Sequence, residues 1–154
     1  MAIALRRTMT MTHWFRWLLP FALLLSAGCS RPPPEVALRE AVAAMEASIA
    51  ARDAAALARH LDEDFIGPGG MDRDGARRTA ALYFLQHASI GVVAGPLSIE
   101  LQDARAQVSF TAAVSGGSSR LLPDSGQVHD VRTGWRLRDG EWRMTAIEWT
   151  PLLR

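Results

Sequence analysis

The second half of the chain is governed by a two-residue alternation of side chains, which only a β-strand sorts onto opposite faces. Val131, Thr133, Trp135 and Leu137 alternate with Arg132, Gly134, Arg136 and Arg138. Asp139-Gly140 follows at once, a pair that tolerates the positive φ angles of a tight hairpin, and Trp142 to Thr150 supplies the returning strand. The same alternation runs through Val108, Phe110, Ala112 and Val114, set against Gln107, Ser109, Thr111 and Ala113. Ser115 to Gly126, rich in glycine and serine, reads as the hairpin loop between these strands. From Gly91 onward the pattern predicts a four-strand antiparallel meander.

The first half has the helical period. Pro34 and Glu35 suit a first helical turn, and Leu38, Val42, Met45 and Ile49 then recur on one face, with Arg39, Glu40 and Glu46 facing elsewhere. Asp53 is placed to cap a second, short helix over Ala54 to Leu61. Asp64-Phe65-Ile66 reads as a short strand, ended by the turn Gly67-Pro68-Gly69-Gly70. A third helix is predicted from after Asp72 to about His87, with an apolar stripe of Ala76, Ala80, Tyr83, Phe84 and His87. Three helices followed by antiparallel strands make the fold class α+β, with the helices on one face of a curved sheet.

The N-terminus reads differently. Arg6, Arg7 and Arg16 precede the apolar stretch Trp17 to Leu25 and the small residues Ser26, Ala27 and Gly28, which is the layout of a secretory signal. Trp17 to Ala27 is well short of the roughly 20 apolar residues of a membrane span, and Pro20 interrupts it. The only cysteine, Cys29, comes next, so no internal disulfide is available. The segment resembles a bacterial lipobox. That resemblance implies cleavage between Gly28 and Cys29 and a lipid on the Cys29 thiol, with the membrane as partner. By resemblance to sorting rules of Gram-negative bacteria, Ser30 in place of an aspartate implies the outer membrane, facing the periplasm. Residues 1–28 are then a signal peptide, residues 29–34 a lipidated cysteine with a stiff proline tether, and residues 35–154 one domain. Without the leader, 14 of the 17 arginines face 16 acids, a formal charge of −2. That balance argues against a nucleic-acid binder, which normally has a concentrated basic face.

Three segments carry a wider resemblance. They are Arg52-Asp53-Ala54 through Asp62-Glu63-Asp64-Phe65, then Asp72-Arg73-Asp74-Gly75-Ala76-Arg77-Arg78, then Gly134-Trp135-Arg136 through Trp142-Arg143 with Trp149 beyond. In this order and spacing the run from Glu35 to Leu152 resembles the nuclear transport factor 2-like superfamily, also called cystatin-like or SnoaL-like. The resemblance implies an α+β cone around a pocket, and often a homodimer through the sheet face. It leaves function open, because isomerases, dehydratases, hydrolases and non-catalytic binding modules share the fold.

Individual residues favour different classes. Phe84, Phe110, Trp135 and Trp149 are the expected pocket lining for a small apolar ligand, with Tyr83 completing it. Asp64, Tyr83 and His87 are the candidate catalytic set for proton transfer beside a carbonyl. The analogy is a loose one with ketosteroid isomerase, in which a carboxylate base works beside a tyrosine hydroxyl. The plainer reading makes Tyr83 a core aromatic and His87 a helix-end residue. His60, His87 and His129 form no pair at ligand spacing, so no metal is expected, and no motif implies a cofactor. Arg132, Arg136 and Arg138 share the strand face opposite Trp135 and Leu137, a solvated face or a contact for an acidic partner. The leading expectation is an envelope lipoprotein that binds a small apolar ligand or a partner protein without catalysis. The alternatives are a small isomerase- or dehydratase-like enzyme, and an assembly or immunity factor acting through the exposed sheet face.

Overall fold

A computed structural model describes residues 32–87, 91–115 and 128–152. Residues 1–28, read above as a signal peptide, together with Cys29 and most of the loop from Ser115 to Gly126 lie outside them. Helix α1 spans Pro34–Ala50, with proline in its first turn where no intrahelical N–H bond is lost. Its buried residues are Leu38, Val42, Met45 and Ser48, the last donating its hydroxyl back to the Ala44 carbonyl at 2.9 Å. Helix α2 spans Ala54–Arg59 and is capped as expected: the Asp53 carboxylate accepts the Ala56 N–H at 2.8 Å. Helix α3, Arg73–Gln86, is capped by Asp72 through the Gly75 N–H at 2.7 Å. Arg73 Nε donates to the Ala58 carbonyl at 2.8 Å, tying the start of α3 to α2.

The strands are β1 (Leu61–Ile66), β2 (Gly91–Ala94), β3 (Ser98–Gln102), β4 (Arg105–Ser115), β5 (Val128–Arg138) and β6 (Glu141–Pro151). They form one sheet in the order β1-β6-β5-β4-β2, with β3 also paired to β4. The meander after α3 therefore has five strands, not four. Gly95-Pro96 breaks the expected first strand, since proline cannot donate to a ladder, and its two pieces pair end to end along β4. The β1 pairing with β6 is parallel, while all other pairs are antiparallel. The class is α+β, with helices packed on a curved, mostly antiparallel sheet.

Two local features shape that sheet. Asp139 and Gly140 take φ of 53° and 83°, the left-handed geometry of the tight β5–β6 turn. Further along the same pair, Gly134 faces Ala146 but Trp135 faces Met144, so Thr145 is an extra residue in β6. Such a bulge bends the strand and increases its twist. A side chain at position 134 would meet Thr145 Oγ1 at 3.1 Å, so glycine permits the close approach. Inside the bend, Leu38, Val42 and Met45 pack on Phe65, Val108, Trp135, Trp142 and Met144. Trp142 Nε1 donates to the Pro34 carbonyl at 3.1 Å and so fastens the start of α1 to β6.

Candidate functional site

The helices do not fill the concave side of the sheet completely. A cavity of about 200 Å³ remains between them and the inner faces of β4, β5 and β6. Helix α1 contributes Val42, Met45, Glu46 and Ile49, which is one face at the spacing i, i+3, i+4 and i+7. Helix α3 contributes Ala80, Tyr83 and Phe84. Strand alternation brings Phe110 and Ala112 from β4, and Val131, Thr133 and Trp135 from β5. Ile147 and Trp149 come from β6, beyond its bulge. Phe84, Phe110, Trp135 and Trp149 thus all line one cavity.

The wall offers few polar atoms. Thr133 is 2% exposed, and its hydroxyl is engaged by the wall itself: it donates to the Val108 carbonyl at 3.1 Å and accepts Trp135 Nε1–H at 2.8 Å. Burial raises the Tyr83 phenol pKa, so this group stays protonated at neutral pH. Glu46 is the one charged side chain of the lining and is half-buried. The helical pattern in the sequence assigns it to the outer side. It lies four residues after Val42 and three before Ile49, so an apolar stripe of ordinary width includes it.

Of the three residues considered for proton transfer, the structure keeps Tyr83 and His87 together and places Asp64 apart from them. Tyr83 lines the cavity and stacks on His87, ring centroids 4.2 Å apart and tilted by 44°. His87 has left helical geometry as the C-cap of α3 and is not part of the cavity lining. Asp64 stands outside, because β1 turns Phe65 inward and its neighbours outward. Its side chain is 67% exposed and accepts from Arg136 Nη1 at 2.9 Å. An exposed, arginine-bound carboxylate is a poor base for a reaction inside an apolar cavity.

That arginine is not free for an anionic partner. Arg136 also reaches Asp62 at 3.4 Å, while Arg138 reaches Glu63 at 3.2 Å and Asp62 at 3.6 Å. The two arginines of β5 thereby span β6 and hold β1 at the sheet edge. Arg132 lies 3.9 Å from Asp130 and stays mostly exposed. The Arg136 hydrogen bond holds the Asp64 carboxyl below its ordinary 3.8, against an opposing effect of desolvation and with help from the Arg136 and Arg138 charges. The stabilisation is complete above the ordinary carboxylate value and is lost as pH falls through the lower folded-state value. In a carbon-13 NMR titration, Arg136→Ala is expected to return the Asp64 pKa towards 3.8. An unchanged pKa would show that the pair does not set it.

Among the described residues no three His, Cys, Asp or Glu side chains gather to hold a metal ion. One further titratable residue does face inward. His129 is 2% exposed, two residues before Val131 on the inner face of β5, and neither ring nitrogen has a hydrogen-bond partner among the described residues.

No protein-family model matches the chain, and no curated protein matches it. Solved structures do. A candidate scytalone dehydratase from Novosphingobium aromaticivorans superposes with a TM-score of 0.67 at 14% identity, over 77% of this chain and 84% of that one. A nuclear transport factor 2-like protein from Cytophaga hutchinsonii gives 0.65 at 18% identity, over 78% of this chain and 99% of that one. The fold is the nuclear transport factor 2-like cone. Bd1075 of Bdellovibrio bacteriovorus contains a similar cone, with a TM-score of 0.65 at 13% identity over 75% of this chain. This chain spans only 40% of that protein's length. At such identities the likeness concerns the cone alone.

Proposed function

We propose that the cone is a binding module for a small apolar molecule of about one or two rings, held at the bacterial envelope by a lipid on Cys29. The observation that carries the binding reading is the cavity wall. Apart from the half-buried Glu46 it is aliphatic and aromatic, and the Thr133 hydroxyl is already bonded within it. The size fits the ligand class: an apolar cavity of about 150 Å³ takes up benzene, whereas drug-sized ligands need roughly 300 Å³ or more. Proton-transfer chemistry is less well supported, because Asp64 is outside and Glu46 sits on the half-buried face of α1. A partner-protein module is also less well supported, since its own side chains would be expected to fill the cone.

Titration of the full chain with p-xylene by calorimetry tests this. Saturable one-site binding with a Kd of about 1 mM or tighter is expected, corresponding to about −4 kcal/mol. Heats without saturation would overturn the binding reading. The anchor rests on the segment from Arg6 to Cys29 and is tested separately in a Gram-negative host. Cys29→Ala should abolish incorporation of labelled palmitate and cleavage of the leader. A variant still labelled and processed would exclude lipidation at Cys29.

A further inference from the structure

An imidazole buried with both nitrogens unpaired is an anomaly that asks for a partner, because nearly all buried polar side chains have one. His129 is in this state. Imidazole nitrogens are hydrogen-bonding groups, and leaving them without a partner in an apolar setting is costly. A purely structural residue at this position would be better served by leucine or phenylalanine.

The register places His129 just beyond one end of the cavity, outside its lining. Its backbone neighbours are Ala112 on β4 and Pro151 on β6, and the next inward residue along β5 is Val131. Ala112 and Val131 both line the cavity, and Trp149 stands opposite Val131. Directly opposed side chains in an antiparallel pair have Cβ atoms roughly 4.5–5.5 Å apart, and alanine at position 112 occupies little of that space. The ring therefore lies one small side chain beyond the apolar wall. Its cross-strand partners Ala112 and Pro151 and the next inward residue, Val131, carry no polar side-chain atom.

We infer that His129, sealed just beside the lining of the empty cone, becomes the polar end of the cavity when the ligand binds, and that the ligand is an apolar ring or short chain bearing one hydroxyl or carbonyl that hydrogen-bonds this imidazole. The inference rests on the cavity-binding reading and refines it from an apolar ligand to one with a single polar end. His129 recognises the polar group, while Phe110, Trp135 and Trp149 hold the apolar body. A hydrogen bond of this kind changes affinity by about two- to tenfold.

Two probes of the same shape separate the two readings. p-Cresol and p-xylene differ only in a hydroxyl in place of a methyl group. Both are to be titrated into the full chain and into His129→Leu. The ratio of the p-xylene Kd to the p-cresol Kd should fall by about two- to tenfold on going to the variant, with p-xylene affinity largely kept. An unchanged ratio would overturn the role of His129 and leave the apolar cavity standing. Failure of both probes on the native protein would overturn the cavity reading itself. Should His129→Leu not fold, the native protein still decides the matter through its imidazole nitrogen-15 resonances. p-Cresol should shift those of His129 and p-xylene should not. Equal shifts, or none with a bound p-cresol, would contradict the inference.

Discussion

Trp135→Ala is expected to destabilise the domain by about 3–5 kcal/mol, the cost of deleting a buried aromatic side chain and leaving a void. Domains of this kind are stable by only about 5–15 kcal/mol, so the variant should be close to unfolding at physiological temperature. The large value follows from position. Trp135 is 2% exposed, packs against the α1 stripe in the central cluster, and its indole N–H is bonded to Thr133. Relaxation into the void is restrained because the bulge at Thr145 and the turn at Asp139-Gly140 fix the strands on one side. Trp149→Ala provides the internal comparison. That side chain is only half-buried, so its loss should cost less than half as much. Urea denaturation of both variants gives the comparison from the shift in midpoint at constant slope. Equal losses for the two tryptophans would mean that Trp135 is not the centre of the packing.

Filling the cavity should have the opposite pattern, with a large effect on binding and a small one on stability. Ala80 lies on the cavity side of α3 and is half-buried, so Ala80→Phe can direct a ring into the empty space. Apolar side chains placed into existing voids are among the substitutions that leave stability unchanged or raise it. The ring would displace p-xylene and the apolar contact area it gains, weakening binding by about tenfold or more. A midpoint of thermal unfolding at or above that of the native chain, together with lost heats of binding, is the expected pair of results. Retained p-xylene affinity would place the ligand elsewhere.

Much of the architecture is readable from local chemistry. Asp53 and Asp72 cap the helices they precede, and Asp139-Gly140 makes the turn its residue types demand. The alternation along β4 and β5 identifies the inward residues, Phe110 and Trp135 among them. What the sequence leaves hidden depends on pairing across long stretches of chain. Nothing within Leu61-Asp62-Glu63-Asp64-Phe65-Ile66 announces that it joins β6 in parallel, so the side to which Asp64 points cannot be read locally. Its partners Arg136 and Arg138 are more than 70 residues away, and along their own strand they have the pattern of a free basic face. Glu46 is hidden for a different reason: a charged residue inside a helical apolar stripe is naturally assigned to the solvent side. His129 has a signal in plain view, being in phase with Val131, Thr133 and Trp135. A polar side chain in an inward position is the pattern that marks it.

The most direct test of an internal binding site is where a bound probe sits. Intermolecular NOEs between p-xylene and the full chain should connect its protons to Ala80, Phe110, Trp135 and Ile147, which meet across the cavity from α3, β4, β5 and β6. NOEs confined to exposed apolar side chains such as Leu85 or Val93, which are 83% and 69% accessible, would show surface adsorption and contradict it.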